Sequence, residues 1–119
     1  MVSMLAKLGV TSDRVFRGST SNGPIWVVVG RRALCILAGR PLAVGCEPAA
    51  KARTNGVTLG IVYHPAEVGT DSRRRFILYG IVPDSHASVQ VRVGSRIRKI
   101  PVTGNAYSVK SRVPVLKVP

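Results

Sequence analysis

Acidic residues are scarce in this 119-residue chain: five Asp and Glu stand against eighteen Lys and Arg, a formal net charge of +13. The five acids, Asp13, Glu47, Glu67, Asp71 and Asp84, are widely separated. A glycosidase pair or a carboxylate-held metal would need the fold to bring two of them together, and the spacing gives no hint of it. Aromatics are almost as few: Phe16, Trp26, Tyr63, Phe76, Tyr79 and Tyr107. Base stacking on single-stranded nucleic acid would have little to use, because most of these rings sit in apolar runs that read as core. No apolar run approaches the roughly 18 residues of a membrane-spanning helix. Phosphate-cradling glycine loops, a G-x-S-x-G nucleophile elbow and Asn-x-Ser/Thr sequons are all missing. The two cysteines are too few for a structural zinc site, and neither His64 nor His86 stands at ligand spacing from them. No cofactor is implied.

What is present is branched aliphatic mass. Hydrophobic residues make up 45% of the chain, which excludes a disordered basic tail, since such tails lack the apolar content to bury a core. Valine, isoleucine and leucine dominate, and twelve Gly and eight Pro punctuate at short intervals. That pattern predicts an all-β fold, a single antiparallel sandwich or partly open barrel of about eight short strands. Residues 1–23 read as an N-terminal arm or linker and residues 24–119 as one β domain. Within the arm, Met1–Gly9 could form two turns of helix, marginal on its own. Met1–Val10 carries one lysine and no complete secretory leader. The alternatives are a cytoplasmic protein, or part of an exported one without its leader.

Strands are expected at Ile25–Val29, Ala33–Ala38, Ala43–Cys46, Val57–Tyr63, Arg75–Val82, Ser88–Val93, Ala106–Lys110 and Val113–Val118. Glu47–Arg53 reads as a helical turn with Pro48 at its first position, and His64–Arg74 as a polar loop. In Ser88–Val93, Val89, Val91 and Val93 alternate with Gln90 and Arg92. Gly94-Ser95 then suits a two-residue type II′ turn, which would face Val89 with Ile100 but also Arg98 with Val91. A three-residue loop with a bulge at Lys99-Ile100 would instead pair Val91 with Ile100. Both registers are open.

The hairpin over residues 33–46 can be worked by arithmetic. A four-residue loop, Gly39–Leu42, makes Cys35 face Cys46. Directly opposed residues in an antiparallel pair have Cα atoms about 4.5–5.5 Å apart, within disulfide reach. Two buried thiols are the alternative, since Cys is among the most buried residue types.

Phe76-Ile77-Leu78-Tyr79-Gly80-Ile81-Val82-Pro83-Asp84, Ala87-Ser88-Val89-Gln90-Val91, Ile100-Pro101-Val102 and Asn105-Ala106-Tyr107 follow in order. This resembles a G-x-V-P-D-x-x-x-S-V … V-P-V-x-x-N-x-Y pattern near the C-terminus of uncharacterised exported proteins of actinobacteria. Upstream, Gly23-Pro24-Ile25-Trp26-Val27-Val28, Cys35 and Cys46 are similar to theirs. The resemblance spans about residues 14 to 110. It departs at Ser85, His86 and Gly104. It implies export and a disulfide, with this chain as an ectodomain without its anchor, and it implies no reaction.

Asp84 and His86, two apart, would share a strand face, and Ser85 or Ser88 would complete a triad on paper. Pro83-Asp84-Ser85 is also ordinary turn chemistry, with Asp capping its own backbone, and that reading is preferred. The basic charge concentrates at Arg73, Arg74 and Arg75 and again at Arg92, Arg96, Arg98 and Lys99. These are the expected anion-binding residues. The reading is a non-enzymatic binding or structural module, exported or of the cell envelope, whose basic surface meets an anionic polymer or an acidic protein. The alternative is an intracellular nucleic-acid-binding β domain with reduced thiols. Disulfides persist in oxidising compartments, so the state of Cys35 and Cys46 separates the two.

Overall fold

The computed structural model describes residues 14–63, 75–84 and 86–118. The expected helix at Met1–Gly9 and the loop at His64–Arg74 lie outside the described residues, as do Arg73 and Arg74. The described residues form ten strands and one short helix: β1 (Arg14–Thr20), β2 (Gly23–Val29), β3 (Ala33–Ala38), β4 (Ala43–Pro48), α1 (Ala49–Asn55), β5 (Val57–Tyr63), β6 (Arg75–Ile81), β7 (Ser88–Val93), β8 (Arg96–Pro101), β9 (Ala106–Ser111) and β10 (Val115–Lys117). All pairings are antiparallel, in three sheets of order β1-β2-β3-β4, β5-β6-β9 and β10-β7-β8. The fold is all-β, as expected.

The β5-β6-β9 sheet is the middle layer, and β6 explains why. Its apolar run has no polar face, so both sides can be buried. Ile77, Tyr79 and Ile81 point one way, into a cluster with Ile25 and Ile36 of the four-stranded sheet, Leu59 of β5 and Ala52 of α1. Phe76 and Leu78 point the other way, joining Tyr107 and Val109 of β9 with Val89 and Val91 of β7, Ile100 of β8 and Val115 of β10. On the far face of the first sheet, Val28, Cys35 and Leu37 are buried beside Trp26, Ala33 and Val44.

One close approach sets the spacing in the middle layer. The Tyr107 side chain lies over Gly80, its register partner, where a Cβ would meet atoms Cζ, Oη and Cε1. Gly80 is there because a side chain would displace the ring.

Several expectations need correction. Arg14–Thr20 is not a linker but the edge strand β1, turning at Ser21-Asn22 to pair with β2 from Thr20↔Gly23 to Arg14↔Val29. As an edge strand it pairs on one side only and exposes Arg14, Val15, Phe16 and Arg17, so its sequence lacks a buried alternation to read. Pro48 is the N-cap of α1, not its first helical residue. The last strand is shorter than Val113–Val118, covering Val115–Lys117 alone. For the β7–β8 hairpin the structure selects the two-residue turn, with Val89↔Ile100 and Val91↔Arg98. Gly94 has φ 62°, as a type II′ turn requires at its first position. Arg98 is tolerated opposite buried Val91 because β8 is an edge strand and the side chain reaches solvent.

Candidate functional site

The Cys35–Cys46 disulfide is formed across β3 and β4, with Cα atoms 4.1 Å apart at directly opposed positions. Cys35 is buried and Cys46 exposed. The loop-length arithmetic therefore placed the bridge correctly.

Asp84 and His86 occupy a turn. The Asp84 carboxylate accepts a hydrogen bond from Asn105 Nδ2 at 2.9 Å, and the same amide donates to the Val82 carbonyl at 3.1 Å. Asp84 thus ties its turn to the one before β9, whereas capping of its own backbone was expected. His86 Nδ1 lies 3.3 Å from the Pro83 carbonyl. The fold also brings Glu47 and His86 to one cleft of about 610 Å³, with Lys51, Ser88, Gln90 and Lys117 around it. These residues come from three separate stretches of the chain, and no spacing in the sequence announced the meeting. Lys117 Nζ is held there by the Asn55 carbonyl at 2.6 Å. Among the described residues, no hydrogen bond joins His86 to Glu47 or Ser88, and no cluster of three or more His, Cys, Asp or Glu could hold a metal ion.

The cations have a clearer geometry. β7 and β8 carry four of the expected anion-binding residues around one hairpin. Arg92 and Lys99 stand on the outer face of the β10-β7-β8 sheet, since Arg92 pairs with Ile97 and Lys99 with Gln90. Arg96 and Arg98 stand on the opposite face, opposite Val93 and Val91. All four are exposed. Exposed Arg112 joins them, because the chain between β9 and β10 folds against the hairpin tip: Gly94 N donates to the Pro114 carbonyl at 3.1 Å. Arg75 begins β6 at this same end, and the β6–β9 pairing places Lys110 opposite Ile77. The structure thus unites Arg75 with Arg92, Arg96, Arg98 and Lys99 at one end of the molecule. It adds Arg112 and Lys110, which the sequence reading did not single out.

Both described acids lie at the other end. Glu47 is the penultimate residue of β4, beside α1, and Asp84 follows β6. The seven residues of β6 separate the two ends by about 20 Å at 3.3–3.4 Å per residue. That is about twice the screening length of physiological salt, so neither Glu47 nor Asp84 compensates the charges around the hairpin tip. The side chains of Arg92, Arg96, Arg98, Lys99 and Arg112 make no hydrogen bond or ion pair with another described residue.

Comparison with models of protein families, with curated proteins and with solved structures gives no match.

Proposed function

We propose that the protein is a non-enzymatic binding module that docks polyanionic partners on its cationic end. The observation that carries this reading is the convergence of Arg92, Arg96, Arg98, Lys99 and Arg112 at one end, with both described acids at the other. Like charges held this close repel one another, and a partner supplying negative charge relieves that cost. Around this rigid β scaffold the attraction is long-range and sets encounter more than sequence selectivity. The formed disulfide supports an oxidising compartment. It therefore favours the exported, cell-envelope setting that the resemblance implies over an intracellular nucleic-acid binder.

The test is a titration of one RNA, one DNA and one acidic polysaccharide at two salt concentrations, with wild type and two variants. One variant replaces Arg92, Arg96 and Arg98 by Gln. The other replaces exposed Arg31 and Arg32, at the turn between β2 and β3 near the acidic end. Binding should fall steeply with salt, and the first variant should lose about one unit of salt slope per phosphate contact on the nucleic acids. The second should change little. Equal effects of the two variants would mean that the charge acts only in bulk. Tight, salt-resistant binding to a single nucleic-acid sequence would restore the intracellular reading.

A further inference from the structure

Apolar side chains stand among these cations. On the outer face of the β10-β7-β8 sheet, register places Leu116 beside Arg92 and Arg92 beside Ile97, one row across three strands. Strands lie about 4.8 Å apart, so the row spans about 10 Å. Leu116 is 64% exposed and Ile97 56% exposed. At the hairpin tip Val113, 43% exposed, packs on Gly94, 3.2 Å from where a Cβ would stand. A two-residue turn leaves this tip no loop to fold back over the row.

A soluble polyanion would use the five cations and leave these three aliphatic side chains in water. A surface of anionic headgroups over hydrocarbon uses the aliphatic groups together with the cations of this face and of the tip. Cations gain from the negative surface potential within a screening length, and aliphatic groups gain by entering the acyl boundary. Lys99 flanks the row on the same face, and Arg96 and Arg112 sit beside the tip. Arg92 and Lys99 on this face, with Arg96 and Arg112 at the tip, can thus reach headgroups, their stems lying along the boundary, while the apolar residues go deeper.

We infer that the outer face of the β7–β8 hairpin, with Leu116 and Val113, is a docking surface for an anionic lipid bilayer. This rests on the proposed polyanion-binding reading and names the partner at the same end of the molecule. Peripheral docking is meant, and no strand needs to cross the membrane.

The experiment is co-sedimentation of the full chain with large vesicles of phosphatidylcholine alone or with one-third phosphatidylglycerol. A parallel titration uses heparin as a soluble polyanion. Variants are Ile97→Ser with Leu116→Ser, and Arg92→Gln with Arg96→Gln. Both target exposed positions, and circular dichroism checks their fold. Wild type should bind the anionic vesicles and not the neutral ones. The serine pair should lower vesicle binding roughly 100-fold, about ten-fold per aliphatic side chain withdrawn, and leave heparin binding within two-fold. The glutamine pair should lower both, about five-fold per cation on vesicles. Heparin binding without vesicle binding, or vesicle binding indifferent to the serine pair, would overturn the bilayer inference and leave the polyanion reading standing. Failure on both probes would remove the two together.

Discussion

Replacing Gly80 by alanine should be costly, and the cost should belong to Tyr107. The new methyl would stand 2.5 Å from Tyr107 Cε1 and closer still to Cζ and Oη. Tyr107 is 2% exposed, packed among Leu78, Val89 and Val109, so the ring has no room to withdraw. Overpacking a well-filled core by one methyl typically costs 1–3 kcal/mol, and burial of the methyl returns about 0.8 kcal/mol. The approach of two Tyr107 side-chain atoms closer than 2.5 Å puts this site in the upper half of that range, so a net loss of about 1–2 kcal/mol follows, a substantial share of the roughly 5–15 kcal/mol that stabilises a small domain. The assay is a double-mutant cycle by urea unfolding with Gly80→Ala, Tyr107→Leu and the pair. Tyr107→Leu alone should destabilise by about 2 kcal/mol through the smaller side chain and its cavity. In the leucine background the space over residue 80 is free, so Gly80→Ala should become neutral or slightly stabilising. The coupling should be at least 1 kcal/mol, beyond the scatter of independent sites. A Gly80→Ala penalty that is equal in both backgrounds would show that the ring does not lie over β6. A penalty below about 0.5 kcal/mol would say the same of the contact itself.

Two other outcomes concern stability. Cys35→Ala with Cys46→Ala should destabilise by about 3 kcal/mol, since the bridge closes a loop with a sequence separation of 11; intact mass of unreduced wild type should lie about 2 Da below the dithiol value. A loss under 1 kcal/mol would refute the chain-entropy account. The Tyr107 hydroxyl is buried without a partner among the described residues, and burial pushes its pKa from 10.0 to about 12. The unfolded chain releases this proton first, so its contribution is complete below about pH 10 and is lost as pH rises towards 12, to roughly 3 kcal/mol. Tyr107→Phe should remove that component of the alkaline stability loss and leave stability near pH 7 unchanged or higher, because no hydrogen bond is given up. An unchanged alkaline profile in Tyr107→Phe would count against the buried hydroxyl.

The information for the strands and the disulfide was local. Val89, Val91 and Val93 alternate with polar neighbours, so a strand with one buried face follows from side-chain period alone. Cys35 meets Cys46 because four loop residues set the register of a hairpin, which no distant part of the chain can alter. The β1 strand escaped this reading because an edge strand makes half its contacts and keeps charged residues outward. The Gly94-Ser95 register stayed open because Arg98 opposite Val91 is poor in isolation; it is settled by β8 lying at an edge, a property of the sheet. The assembly of the docking end required tertiary structure throughout. Leu116 lies 24 residues after Arg92 and reaches it only because β10 pairs with β7. Arg112 reaches the hairpin tip through a backbone bond between Gly94 and Pro114. Charge and apolarity are properties each residue carries alone, and a sequence states them in full. Adjacency between strands distant in the chain is decided by which faces bury one another, and here that was the two-sided burial of β6.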